Sequence, residues 1–363
     1  RKGYVIGLSD KPKIAPEKIK EISEICSGEE TTESRLIALA AWMRENYGST
    51  MIQALRTVLP IQEKIKAKEK KYICLDISEE AGTQLLKELE QTRFKARTRL
   101  LRELLEKKRL DYTHAAKELG TTSAVVKKFQ EQGIIRIEYD EIMRTSLNTG
   151  DISGERRMPL TDEQEAAVKQ IQREWKNPSP KPVLIEGVTG SGKTQVYIKL
   201  IEQTLSQGKE AIVLIPEIAL TYQTVRRFYA RFGDKVSVIN SRQSQGERYD
   251  QFKRAKKGEV QVMIGPRSAL FTPFASLGLI IIDEEHEPSY KSESTPRYHA
   301  RETAIRRAVL EHANVVMGSA TPSVEAYSKA MNGEYSLVRL TTRYGSRPLP
   351  RVSIVDLREE LKA

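Results

Sequence analysis

Residues Gly187-Val188-Thr189-Gly190-Ser191-Gly192-Lys193-Thr194 spell a complete G-x-x-x-x-G-K-T phosphate loop, and this segment limits the chain's possible folds more than any other. The loop works only between a strand and a helix, and both neighbours are written beside it. Pro182 to Glu186 reads as a short buried strand, while Gln195 to Leu205 continues at helical spacing with Val196, Ile198, Leu200 and Ile201 apolar. Glycines let backbone N–H groups close around phosphate oxygens, and the helix N-terminus adds a positive dipole. Lys193 is expected to reach the outer phosphates and the Thr194 hydroxyl to ligate Mg²⁺, so the expected ligand is a nucleoside triphosphate with its metal. A bare glycine-rich turn before a helix is the plainer alternative.

From Leu160 onward, short apolar runs alternate with helical stretches. The runs are Ala211 to Ile215, Val236 to Ile239, Val260 to Ile264, Leu279 to Ile282 and Val315 to Met317. Continuous apolar strands alternating with helices predict an α/β fold with a parallel sheet covered by helices on both faces.

The 363 residues exceed one ordinary domain and suggest two or three. Before about residue 77 the chain reads as an extended piece, a proline-bounded helix near Pro16 to Cys26, and a stronger helix from Thr32 to Tyr47. Trp42 and Tyr47 on that helix read as core aromatics. Lys64, Lys66, Lys68, Lys70 and Lys71 form a basic run, read first as a solvated linker and second as a phosphate-contacting strip. A long charged helix from about Thr83 to Lys108 follows. Tyr112 to Leu119, Gly120-Thr121-Thr122 and Ser123 to Gln132 then have helix-turn-helix spacing, and Ile134 to Tyr139 reads as a strand or wing. This is a winged-helix pattern. Lys127 and Lys128 on its second helix are candidate phosphate contacts, although such modules also serve as protein spacers. A polar linker from Ser146 leads into the remainder.

Sixty Lys plus Arg against 49 Asp plus Glu give a net charge of +11, which favours a polyanionic partner. Two cysteines, Cys26 and Cys74, cannot build a disulfide framework or a four-thiolate zinc site, pointing to a cytoplasmic protein. No apolar run suits a membrane span, and the start, Arg1-Lys2-Gly3, lacks both a signal-peptide pattern and an initiator Met, which suggests a fragment.

Leu279 to Ile282 delivers Asp283-Glu284-Glu285-His286 at a strand's C-terminal end, where ligands bind in open α/β sheets. Asp283 is placed to hold Mg²⁺ with Thr194, and Glu284 to orient and deprotonate the water attacking the γ-phosphate; His286 completes a D-E-x-H element. Gly318-Ser319-Ala320-Thr321-Pro322 follows another buried strand and resembles the coupling motif of superfamily 2 helicases, in which such an S-A-T element lies against D-E-x-H. Leu160 to Gln164 resembles their adenine-reading glutamine motif, with Gln164 as a plain helix-start residue the alternative. Pro216, Glu217 and Thr221, and then Arg267 and Ser268, follow the second and fourth strands and resemble the segments with which helicase lobes grip a strand backbone; their hydroxyls, amides and guanidinium suit phosphates. Ser289 to Arg301 interleaves aromatic and basic side chains. Tyr290, Lys291, Arg297, Tyr298 and Arg301 are expected to stack bases and hold phosphates, with a packed surface loop as the alternative.

Together, E-G-V-T-G-S-G-K-T, P-E-I-A-L-T, D-E-E-H-E-P-S-Y-K, P-R-Y-H-A-R-E-T-A and G-S-A-T-P-S-V-E-A resemble the primosomal protein N-prime family of bacterial replication-restart DNA helicases. Trp42-Met43 through Leu59-Pro60, and Pro348 through Arg358, carry the resemblance towards the ends by weaker patterns. It implies residues 1–77 as the rear of an N-terminal domain that captures DNA 3′ ends, 78–145 as a winged helix, 146–159 as linker and 160–363 as a RecA-like helicase lobe 1. It further implies ATP and Mg²⁺, 3′-to-5′ unwinding, forked and single-stranded DNA, single-stranded DNA-binding protein and other primosome proteins, and a cytoplasmic, nucleoid-associated place. The family's second lobe with its arginine finger, and its cysteine-rich zinc region, do not follow Ala363, so weak nucleotide binding and little turnover are expected of this piece. Asn240 to Gln243 stands where the family tends to a His-Ser pair, and Gln195 where an acidic residue is usual. Another nucleic-acid motor, such as an RNA helicase or restriction translocase, and a non-catalytic DNA-binding platform are the competing readings. A small-molecule kinase explains neither S-A-T nor the winged helix.

Overall fold

A computed structural model describes residues 30–59, 68–91, 94–142 and 159–343, with isolated positions before residue 30. The expected helix near Pro16, the linker from Ser146 to Arg157, and the segment from Pro348 to Arg358 lie outside the described residues. Two compact units form: residues 64–147 with 245–250, and residues 1–63, 148–244 and 251–363.

The larger unit opens with α1 (Glu30–Asn46) and α2 (Met51–Val58). Thr50 starts α2 through a reciprocal capping box with Gln53, satisfying donors that a helix start leaves open. Leu36, Leu39, Ala40 and Met43 of α1 are buried, and Trp42 and Tyr47 pack edge-to-face with ring centroids 5.6 Å apart.

The smaller unit contains β1 (Lys68–Leu75), α3 (Glu79–Glu90), α4 (Lys95–Lys107), β2 (Arg109–Asp111), α5 (Tyr112–Lys117), α6 (Ser123–Glu131) and β3 (Ile135–Ile142). Its antiparallel sheet runs β2-β1-β3, with Ile73 opposite both Leu110 and Ile137. Ile73, Leu100, Leu104, Val126, Phe129 and Ile135 share one core. Helix, turn and helix fall where the spacing predicts them, Gly120 supplying the left-handed turn at φ +61°.

Two expectations change here. Lys68 to Lys71 form strand, because Ile73 needs the register that pairs Lys71 with Tyr139, so β1 begins before the expected boundary at residue 77. The single charged helix is two, α3 and α4, folded back so that Leu89 joins the core of Leu100, Leu101 and Leu104. Gly82 permits the approach, since a Cβ there would lie 2.6 Å from Leu105 Cδ2.

The larger unit resumes with α7 (Asp162–Glu174), β4 (Val183–Gly187), α8 (Lys193–Ser206), β5 (Glu210–Leu214), α9 (Tyr222–Phe232), β6 (Val236–Val238), the part of α10 (Gln245–Lys256) from residue 251 onward, β7 (Val262–Gly265), β8 (Leu277–Asp283), α11 (Ala300–Glu311), β9 (Asn314–Ser319), α12 (Val324–Met331) and β10 (Ser336–Leu340). Seven parallel strands run β10-β4-β9-β8-β5-β7-β6. Leu277 to Ile282 are all buried, so both faces of the sheet are covered. β10, which the apolar runs do not announce, completes the edge beside β4.

α1 shares this unit's core, its buried Leu36, Leu39 and Met43 belonging to one cluster with Ala304 and Ala308 of α11. The contact is keyed by charge. Glu311 accepts from Arg35 Nη1 at 3.0 Å and from Arg307 Nε at 3.3 Å, while Arg307 also donates to the carbonyls of Leu270 and Thr272. Arg307 is 1% exposed, so removing Glu311 leaves a buried cation short of its counter-charge. Glu311→Ala should therefore cost about 3 to 5 kcal/mol in chemical denaturation.

Candidate nucleotide site

The parallel register determines what meets at this site. Glu186 of β4 lies opposite Ser319 of β9, and Asp283 of β8 opposite Gly318, so the phosphate loop, D-E-E-H and S-A-T leave three adjacent strands at one edge. Gly190 (φ +84°) and Gly192 (φ +80°) bend the loop into conformations closed to most side chains. Val188 N–H donates to Leu340 O at 3.1 Å, tying the loop to β10. Val188, Thr189 and Gly190 are exposed, Gly187 and Ser191 buried, and Gly192 and Thr194 half-buried.

Lys193 is buried, donating to Gly187 O at 2.9 Å with Glu284 Oε1 3.9 Å away. Tyr197, one turn later on α8, donates its hydroxyl to Asp283 Oδ1 at 3.0 Å. Burial, and then the neighbouring Glu284 carboxylate, push the Asp283 carboxyl up to about 6. Glu284 holds φ +48°, a left-handed strain for a non-glycine residue, and lies 3.6 Å from His286 Nδ1. His286 Nδ1 and Ser319 Oγ share a 2.7 Å hydrogen bond, and Ser319 Oγ also accepts from Thr321 N at 3.0 Å. Ala320 is half-buried and Thr321 exposed.

The set suits Mg²⁺ bound in the usual way, by one carboxylate and a hydroxyl beside substrate phosphates. Among the described residues no group of three or more His, Cys, Asp or Glu side chains forms a metal cage, and the closely placed carboxylates of Asp283 and Glu284 would be relieved by a cation. Asp283 and Thr194 would hold it.

Gln164 is both a helix-start residue and a brace for the loop. Its Oε1 accepts from Thr161 N at 3.0 Å in a capping box, while its Nε2 donates to Ser191 O at 2.8 Å.

The nucleic-acid candidates divide. The sequence pattern points Tyr290, Tyr298 and Arg301 at bases and phosphates, whereas the structure buries all three. Tyr290 offers its single proton to Leu214 O (3.0 Å) and Asp283 O (2.6 Å), bridging the ends of β5 and β8. Tyr298 packs edge-to-face on Phe271. Arg301 pairs with buried Glu285, whose Oε1 also accepts from Ser323 Oγ at 2.6 Å. Each side chain is committed to the protein interior, which leaves no ring face or free fork for DNA. Pro216 is buried as well, opening the turn closed by Leu220 N at 3.0 Å. Glu217, Thr221, Lys291 and Arg297 are exposed, while Arg267 and Ser268 are half-buried. Arg267 Nη1 donates to the carbonyls of Ser289 and Lys291, both at 2.8 Å, and so shapes the loop that presents Lys291. Thr221 caps α9 by accepting from Thr224 N. Lys127 and Lys128 are exposed on α6 of the smaller unit.

The sequence pattern does not single out Tyr197 or Glu285, while Ile218 and Tyr222 of the segment after β5 are 85% and 58% exposed beside Thr221. The position of Tyr197, one turn beyond Lys193, was the available signal; nothing in the pattern marked Glu285 as the buried member of its acidic run.

A phosphate loop, a D-E-x-H strand end and an S-A-T strand end, side by side on a parallel sheet, define a helicase motor lobe of RecA-like fold. The DEAD/DEAH box helicase family matches residues 161–330, and a PriA family domain described as 3′DNA-binding domain (3′BD) matches residues 1–60. The chain belongs to the PriA family of replication restart proteins. The replication restart protein PriA of Bacillus subtilis (strain 168) is 48% identical over 68% of this chain and 31% of its own length. That of Chlamydia muridarum (strain MoPn / Nigg) is 34% identical over 92% of this chain and 44% of its own. The chain thus spans between about a third and a half of the length of these relatives. Among solved structures, RecG bound to a three-way DNA junction aligns with TM-score 0.40 and 23% identity over 53% of this chain and 25% of that one. Among the described residues, no helix is long and apolar enough to cross a membrane.

Burial sorts these residues in a measurable way. Tyr290→Ala and Tyr298→Ala should each lower stability by about 3 to 5 kcal/mol in chemical denaturation. Lys291→Ala and Arg297→Ala should leave the denaturation curve in place and weaken single-stranded DNA binding, followed by fluorescence anisotropy.

Proposed function

We propose that this chain carries the ATP-binding lobe and DNA-binding modules of an ATP-dependent 3′-to-5′ DNA helicase that recognises stalled or abandoned replication forks and starts primosome reassembly. The observation that carries the reading is the meeting of Lys193, Asp283, Glu284 and Ser319 at adjacent strand ends, on a chain that also matches a 3′ DNA-binding domain. The names of the PriA relatives support the restart role.

In this reading Lys193 neutralises the outer phosphates and the loop N–H groups hold their oxygens. Mg²⁺, when bound, draws charge from the leaving phosphate. Glu284, held in its strained conformation near Lys193 and His286, orients the attacking water and takes its proton. Gln164 braces the loop and is proposed to read adenine. The His286–Ser319 hydrogen bond makes the strand end after β9 respond to changes around Glu284, the arrangement needed to relate nucleotide state to DNA grip.

Residues 1–77 are proposed to contribute to 3′-end capture and 78–145 to act as the winged helix, with Lys127 and Lys128 on phosphates; Glu217, Thr221, Arg267, Ser268, Lys291 and Arg297 are proposed on the translocating strand. Forked DNA, single-stranded DNA-binding protein and primosome proteins are the proposed partners, zinc belongs to the family's cysteine-rich region, and a nucleoid-associated place follows. The lobe by itself offers one wall of a nucleotide pocket, so weak binding and slow turnover are proposed for it.

Lys193→Ala in the full-length protein should abolish DNA-stimulated ATP hydrolysis while sparing DNA binding; retained hydrolysis would remove the role given to Lys193. DNA affinity should fall steeply with salt, log K changing by roughly 0.7 to 0.9 per phosphate neutralised for each decade of salt concentration. Stimulation of hydrolysis by RNA in preference to forked DNA would favour a different motor, and fork binding without any turnover would favour a non-catalytic platform.

A further inference from the structure

Tyr197 is 1% exposed, yet it carries a hydroxyl into the interior at the point where all three motifs meet. It lies four residues after Lys193, on the same side of α8, and its hydroxyl donates to Asp283 Oδ1 at 3.0 Å. The same hydroxyl fills the space beside Gly318, where an added Cβ would overlap it, so the glycine before Ser319 is required by the phenol. From the other side, Tyr290 donates to the Asp283 carbonyl at 2.6 Å. A position that served packing alone would be met by phenylalanine, without a buried polar group to satisfy.

We infer that Tyr197 is a positioning residue for the metal–nucleotide site: by holding one carboxylate oxygen of Asp283 from the phosphate-loop helix, it keeps the D-E-E-H strand end aligned with the loop. The inference rests on the nucleotide reading above and adds a residue to it. Tyr197 touches no reacting atom; it acts through Asp283.

The test is Tyr197→Phe, which keeps the ring and removes the hydrogen bond. Binding of a fluorescent ATP analogue would be titrated with Mg²⁺ and repeated in EDTA, alongside thermal melting. The Mg²⁺ concentration for half-maximal binding should rise on the order of tenfold, as befits a lost hydrogen bond to a charged group. Affinity in EDTA should match the wild type. An unchanged Mg²⁺ requirement overturns the inference, as does equal loss of affinity with and without Mg²⁺, because that pattern marks a structural role only. Gly318→Ala, which pushes the phenol away from Asp283 while leaving it in the chain, should raise the Mg²⁺ requirement in the same way. These titrations use the full-length protein, and a wild-type full-length protein with no Mg²⁺-dependent binding at all overturns the nucleotide reading and this inference with it.

Discussion

Everything at the nucleotide site depends on the parallel register of β4, β9 and β8. Parallel strands end on the same edge, and their crossover helices cover the faces, so residues far apart in the chain become neighbours without any loop reaching for them. Asp283 stands opposite Gly318 and Glu186 opposite Ser319 because Ile281 pairs with Val316 and Leu184 with Met317. A shift of one residue would turn the buried valines and isoleucines against the wrong neighbours and separate the motifs as well. Core packing and site geometry are one constraint here.

Above that sheet, the connections are fixed by buried polar groups that have few alternatives. Tyr290 spans the ends of β5 and β8, Tyr197 spans α8 and β8, and Glu285 gathers Arg301 and Ser323. Each bond replaces one that water would otherwise supply, so a displaced partner leaves a costly orphan in low dielectric. The segment between D-E-E-H and α11 is therefore part of the motor's framework, with Lys291 and Arg297 left at its surface. The Arg35–Glu311–Arg307 group fastens α1 to α11 in the same manner, placing the end of the 3′ DNA-binding match on the helix that follows this segment.

Legibility followed the length scale of the interactions. The phosphate loop, the helix start at Gln164 and the helix-turn-helix at Gly120 are set by near neighbours in sequence, and these elements are found where the pattern puts them. Lys68 to Lys71 misread as linker because their strand pairing is with residues 139–142, far along the chain. The charged helix misread as one because the turn between α3 and α4 is dictated by the core that Leu89 and Leu104 share, which carries no local punctuation. Tyr290, Tyr298 and Arg301 looked like a nucleic-acid surface for a similar reason: composition does not distinguish an aromatic that stacks outward from one that closes a strand end.

The motifs themselves were legible from the chain: a phosphate loop, an aspartate and glutamate at one strand end and a serine at a third, each following a buried apolar run. Which of the remaining polar residues face solvent emerged from the packing alone. It turned Gln164 into a brace for the loop, Tyr197 into a partner of Asp283, and Arg301 into a partner of Glu285. The reason is physical. Backbone propensity is read within a few residues, whereas burial is a property of the packed whole, and an arginine or tyrosine changes meaning according to which side of that boundary it occupies.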